Sequence, residues 1–293
     1  MKKHKVYKDT KLAVALLAPS ILLIVLLIGY PMIYNFIISF QKIPLNPRLT
    51  PKLVGIKNYS TVITDVNFYK SLLLTILYTF FSVAGSTVVG LGAAIFVNRN
   101  FKFKGTARSL IILPYIVPSI SLVFAWKYMF NNIYGIINYI LVDKLHILKE
   151  APLWFDNPTS AFILVVLFSV WKFFPYAFLS FLAILQTLDS TLYEAAEIDG
   201  ANKWQQFLAI TIPCIKPVLM VVITLRTIWV FYMFADVYLL TKKVNILGVY
   251  LYEMAFARND LGKAAAISIL LFVIIFSFII FIRKKVDINE QKQ

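Results

Sequence analysis

Residues 12–40 contain no charged side chain, and neither do residues 72–97 or 264–282. At 1.5 Å per residue, each run is long enough to cross a hydrocarbon layer about 30 Å thick as a helix. Lipid offers no water to bond free backbone groups, so a run of this kind has to satisfy its amides internally, as a helix does. Three further apolar stretches complete the pattern. Residues 109–130 are interrupted by Pro114 and Pro118, residues 159–185 carry Lys172 near their middle followed by Pro175, and residues 218–240 hold Arg226 and Asp236. The expected fold is all-α, a polytopic membrane protein with six transmembrane helices. Composition agrees, with 60% hydrophobic and only 15% charged residues, where soluble domains have about 45–50% and 25%.

The division that follows is a basic head at 1–11, a six-helix domain at 12–285 and a short tail at 286–293. The first apolar run is too long for a cleavable leader and reads as an uncleaved signal anchor, with Pro19, Gly29 and Pro31 as places for kinks. The polar loop at 41–71 holds Pro44, Pro47 and Pro51, which predicts little regular structure at its start. The net charge of +15 could point to nucleic acid, but its lysines and arginines fall in short clusters beside apolar runs. That is the arrangement of topology signals. The head carries five such residues, the 98–108 connector four and the tail four, and this set is more densely basic than the longer alternate loops. Both termini and the 186–217 segment are therefore expected in the cytoplasm, with the chain in the cell's cytoplasmic membrane and no nucleic-acid partner.

Little in the sequence carries chemistry. No G-x-x-x-x-G-K-[ST] run exists to cradle a nucleotide. Cys214 is the one cysteine, and His4 and His146 are the two histidines, so neither a disulfide framework nor a Cys/His metal site is expected. The chain reads as a non-enzyme without metal or cofactor.

The polar stretch 191–217 is more than a connector. It and its upstream neighbour hold Asp189, Glu194, Glu197 and Asp199, four of the 14 acidic residues. Thr191 with Glu194 reads as a capping box, Gly200 stands where a helix end takes a positive φ, and Asn202 with Gln205 caps a second helix that Pro213 should limit. Ala195, Ala196, Gly200 and Ala201 leave a surface that another protein can approach closely. An amphipathic surface helix is the competing reading, but such helices favour basic residues and this segment is acidic.

Glu194-Ala195-Ala196, Asp199-Gly200-Ala201, Ile210, Pro213 and Pro217 resemble the "EAA" loop of membrane subunits of binding-protein-dependent ABC importers. Ile212 stands where that family often has Leu. Other stretches resemble the sugar-type branch of the family, of the maltose and glycerol-phosphate kind. They are Leu17-Ala18-Pro19, Tyr30-Pro31, Ser39-Phe40, Gly55-Ile56-Lys57-Asn58-Tyr59, Phe103-Lys104-Gly105, Leu113-Pro114, Trp126, Gly135-Ile136-Ile137-Asn138, Trp171 with Pro175, and Leu185-Gln186. The opening span and the Gly55–Tyr59 run look like the first permease of such a pair. The resemblance implies a type I importer permease fold and a second permease as heterodimer partner. It also implies two ATPase subunits, an extracytoplasmic binding protein and a sugar as solute. It further implies that Glu194, Ala195, Ala196, Asp199, Gly200, Ala201, Ile210 and Pro213 couple the chain to the ATPases.

Lys172, Arg226 and Asp236 lie inside apolar runs, where each costs about 2.5–3.5 kcal/mol if it faces lipid. They are therefore expected to face protein or water and are candidates for a polar solute path; packing against a partner subunit is the plainer reading. Arg226 and Asp236 are ten residues apart, about 15 Å along a helix, and are not expected to pair. Trp126, Trp154, Trp171 and Trp229 are candidates to stack on sugar faces, although tryptophan near span ends more often marks the membrane interface. The alternative function is a self-contained secondary transporter using these charges for ion coupling, a class that often shows repeated halves; none is evident here. A membrane-embedded enzyme or receptor has no residue constellation to support it.

Overall fold

A computed structural model of the protein describes residues 2–46 and 48–290, with the side chains of 2–9 and 281–290 left out. The lysines at 2–8, the basic tail after Ile282 and Pro47 thus lie outside the described side chains. The chain divides into two compact units, one of residues 1–68 and 251–293 and the other of residues 69–250.

In the first unit, α1 (Lys2–Ile24) continues through a widened π turn at Val25–Gly29 into α2 (Tyr30–Ser39). The apolar residues of Thr10–Ser39 are exposed on every side, as expected of a helix solvated by lipid rather than by a core of its own chain. The loop after it is more regular than its prolines predict. Strands β1 (Gln41–Lys42) and β2 (Lys52–Leu53) pair antiparallel, Gln41 opposite Leu53, and α3 (Lys57–Thr64) follows. Pro44 and Pro51 fall in the hairpin's connection, where no ladder hydrogen bond is needed, so they do not oppose the pairing. Asn58 then clamps the end of α2, its side-chain amide donating to the carbonyls of Ser39 and Gln41 at 2.9 Å each. The Tyr59 hydroxyl meets Ser39 Oγ at 2.6 Å. The last helix, α14 (Leu261–Glu290), packs on α2 and α3.

The second unit is built around α4 (Val66–Asn98, which begins at the unit boundary) and α8 (Pro158–Leu185). Asn157 caps α8, accepting from the amides of Thr159 and Ser160. Gly90 lets α4 lie against α8. A methyl group there would stand 2.6 Å from Ala177 Cβ and 2.8 Å from the Phe174 carbonyl, the close approach that small residues permit between membrane helices. Ser82 and Ser86 are fully buried on α4.

Two spans are broken, one where its prolines predict an interruption and one that the sequence reads as a single helix. Residues 109–130 form α5 (Lys104–Ile116) and α6 (Ser119–Met129), bent by 96° at Val117-Pro118. Pro118 disfavours helix at the residue before it, and Val117 is extended at φ −68°, ψ 138°. Pro114, by contrast, stays inside α5. The 218–240 run likewise splits, α11 (Ile212–Phe231) ending before α12 (Ala235–Leu240). Among the described residues five helices are long and apolar enough to cross a membrane, or six if the bent α5–α6 pair is counted as one span. Between them lie short pieces, α7 (Ile136–Asn138) with a π turn at Tyr139–Lys144, and α13 (Leu247–Tyr252) with another at Glu253–Ala257.

Candidate functional site

Two places in the second unit gather the residues singled out in the sequence. The first is the 186–217 segment. Helix α9 (Ser190–Ile198) is capped by Asp189, whose carboxylate accepts from the Thr191 amide at 2.9 Å. That bond holds the exposed Asp189 carboxyl below the usual carboxylate range. The capping box expected from Thr191 and Glu194 is not formed. The helix starts two residues earlier than that box requires, with Asp189 rather than Thr191 at the cap, which places Glu194 at the fifth helical position instead of the third.

Its other end follows expectation. Gly200 takes φ 81°, the Ala201 amide donates to Ala196 O at 2.9 Å, and the Gly200 amide donates to Glu197 O at 3.1 Å. This bond pair closes a helix at a left-handed residue. Asn202 and Gln205 form a reciprocal capping box for α10 (Lys203–Gln206). Pro213 does not limit this helix: Lys203–Phe231 runs on without interruption. The backbone widens into a π turn at Phe207–Thr211, where the Ile212 amide reaches Phe207 O. This extra room one turn before Pro213 accommodates its ring and missing donor. Ile210 lies in that turn, and the Tyr193 hydroxyl binds Thr211 Oγ1 at 2.9 Å, tying α9 to it. Glu194, Ala195, Asp199 and Gly200 are exposed, while Ala196 and Ala201 are half-buried. Ile198 at 87% and Trp204 at 66% exposure add large apolar surface beside them.

The second place lies where the two broken spans meet α8. Lys172 Nζ donates to Asp236 Oδ2 at 2.7 Å and also to Ser119 Oγ. Ser119 is the first residue of α6 and Asp236 the second of α12, so one ammonium ties together the starts of both half-helices. An open cleft of about 560 Å³ has Lys172, Asp236 and Ser119 in its wall, with Tyr115, Phe173 and Tyr232. Arg226 stands apart from the pair. It is fully buried, its guanidinium carbon is 4.3 Å from the centre of the Phe173 ring, and none of its nitrogens has a hydrogen-bond partner among the described residues. The two cations thus share Phe173, whose ring also lies 4.9 Å from Lys172 Nζ, while Asp236 joins the group through Lys172. As expected, Arg226 and Asp236 do not pair.

The tryptophans do not line this cleft. Trp126 stacks on Phe130 and meets Trp171 at 5.7 Å, Trp229 packs on Tyr176 at 4.9 Å, and Trp154 Nε1 donates to Asn138 Oδ1 at 2.7 Å. Sequence reasoning did not find Ser119, Phe173 or Tyr232. Pro118 marks the break that places Ser119, but nothing at Tyr232-Met233-Phe234 signals a helix end.

Residues 86–285 match the family model described as the binding-protein-dependent transport system inner membrane component. The chain belongs to that family. An inner membrane ABC transporter permease protein, YcjO of Escherichia coli K12, is 62% identical over 97% of both chains. The trehalose/maltose transport system permease protein MalF of Thermococcus litoralis is 35% identical over 94% of this chain and 93% of its own. Among solved structures, a bacterial alginate ABC transporter in complex with an alginate pentasaccharide-bound periplasmic protein superposes with a TM-score of 0.78. It is 18% identical and covers 96% of both chains. The protein is a multi-pass inner-membrane permease subunit of an ABC transporter, with the type I importer fold, and not itself an enzyme. This membership sets aside the self-contained secondary transporter.

Proposed function

We propose that this permease conducts a carbohydrate into the cell, that Lys172, Asp236 and Arg226 belong to the solute path, and that the 191–217 segment couples the path to ATPase subunits. The observation that carries the reading is the cleft at the two helix breaks. Broken membrane helices are tolerated where protein or a water-filled cavity satisfies the freed groups, and a paired Lys172 and Asp236 in the wall of such a cavity offers both donors and acceptors to hydroxyls. A carbohydrate is the solute class favoured by the trehalose/maltose and alginate systems among its relatives.

On this reading the chain pairs with a second permease, two ATPases bind the cytoplasmic face, and an extracytoplasmic binding protein delivers the solute. Both termini lie in the cytoplasm. The exposed acidic and small residues of α9, with Gly200 and Ala201, form the contact with an ATPase, and Ile210 and Pro213 pass the motion into α11. The test is reconstitution of the permease in proteoliposomes with a second permease, the ATPases and the binding protein. ATP hydrolysis stimulated by the binding protein together with a sugar, and accumulation of that sugar, is the expected result. Stimulation by no sugar, with stimulation by an amino acid or a metal ion, overturns the carbohydrate reading.

A further inference from the structure

Among the described residues Arg226 is the largest side chain buried completely, and no acid pairs with it. Asp236 is committed to Lys172 at 2.7 Å. Among the described residues no carboxylate comes within 4.0 Å of the Arg226 guanidinium. The face of the Phe173 ring lies against its guanidinium, 4.3 Å from the ring centre. The buried group of Lys172, Asp236 and Arg226 therefore holds two cations against one carboxylate.

Its position is as informative as its charge. Arg226 does not line the cleft, but Tyr115 and Phe173 do, so the guanidinium sits one side-chain layer behind the wall. Phe173 is the cover. Its ring is held from two sides by cations, Arg226 at 4.3 Å and Lys172 at 4.9 Å, and it is only half-buried. Two residues on, Pro175 lacks the amide that would bond the Trp171 carbonyl, which loosens the helical turn that carries Phe173. An attractive contact that a small rotation can exchange for a stronger one is how a cover works.

We infer that Arg226 is an oxyanion-binding group reached from the cleft when Phe173 turns aside, and that the solute carried by this permease bears a carboxylate, sulfonate or phosphate. The inference rests on the reading of the cleft as the solute path. A guanidinium offers five donors in a planar fork that fits a two-oxygen anion and is always charged. A neutral sugar satisfies the donors but leaves the surplus positive charge, whereas an oxyanion satisfies both.

The test uses the full permease, purified with the subunits that co-purify and embedded in nanodiscs. Radiolabelled cellobiouronic acid and maltobiouronic acid, and their neutral parents cellobiose and maltose, are compared by equilibrium dialysis. At least one uronic acid is expected to bind about tenfold or more tightly than its parent, a preference that weakens with salt. Arg226→Gln should erase the preference and Arg226→Lys should keep part of it. Phe173→Ala, which removes the cover, should bind the acid at least as well as the wild type. Preference for the neutral parents in the wild type overturns the oxyanion assignment and leaves the solute path standing. An acid preference that survives in Arg226→Gln overturns the role of Arg226. Binding of neither class overturns both.

Discussion

Lys172 Nζ and Asp236 Oδ2 lie 2.7 Å apart although 64 residues separate them in the chain, and both side chains are more than nine-tenths buried. Removing one partner leaves the other as a buried, uncompensated charge, which costs about 3–5 kcal/mol. Replacing both by apolar residues removes that penalty. Lys172→Met and Asp236→Leu are each expected to lower the thermal unfolding midpoint of the purified protein sharply, and the double variant to recover most of the loss. A double variant that unfolds at the sum of the two losses would show that the residues do not act as a pair.

Arg226 is expected to behave in the opposite sense. Its nitrogens have no hydrogen-bond partner among the described residues, and the Phe173 face offsets only part of the desolvation, by about 2 kcal/mol. Arg226→Met keeps the length and apolar stem and removes the buried charge. The variant should unfold at a higher temperature than the wild type by about 1–3 kcal/mol of stability, while solute uptake falls. Loss of stability together with uptake would make Arg226 a packing residue.

The contrast between the two residues shows how far the sequence reaches. Length and absence of charge place the spans, because a bilayer leaves an uncharged run of that size few alternatives. Gly200 and Asn202 are legible for a similar reason: a left-handed helix end and a capping box are local, and their residues lie within a few positions of each other. What joins Lys172 to Asp236 is not local. It depends on the break after Phe231, which has no glycine or proline to mark it and is set by packing, so the run through Asp236 reads as one helix. Pro213 misleads for the converse reason. Its helix-breaking chemistry is real, but one extra residue in the preceding turn absorbs it.

Asp189, rather than Thr191, starts α9. Asp189→Ala should speed hydrogen exchange at the Thr191 amide and the first turn of α9, whereas Glu194→Ala should leave that turn unchanged. Because the folded Asp189 carboxyl titrates below its ordinary range, the cap's contribution is complete above the usual carboxylate pKa. It is lost as pH falls through the lowered folded value. Exchange at Thr191 should therefore be flat from neutral pH down to the usual carboxylate range, after its intrinsic pH dependence is removed, and rise below it. The same rise at Glu194→Ala alone would restore the capping box.

The orientation proposed from the basic clusters is open to a direct measurement. An enzyme reporter active only outside the cytoplasm, fused after Asp65, Glu150 or Asn259, should be active, and the same reporter after Asn202 should be silent. Activity at Asn202 would place α9 on the wrong face for any ATPase and end the coupling proposal with it.

Gly200 separates folding from coupling. Its φ of 81° lies in the left-handed region, and a Cβ added there meets nothing within 4 Å of the protein's own atoms. Any cost inside the chain is therefore backbone strain, about 1–2 kcal/mol for a β-branched residue and much less for Asn, which tolerates this region. The turn is exposed and outside the spans, so Gly200→Val and Gly200→Asn should both reach the membrane at near-normal level. If α9 seats against an ATPase, the space that is empty here is filled in the complex. Asn then fails as well as Val: co-purified ATPase falls, or its activity no longer responds to the binding protein. If only Val impairs transport and Asn is fully active, the glycine serves the backbone of the turn alone. Normal transport by both would remove the 191–217 segment from the coupling path.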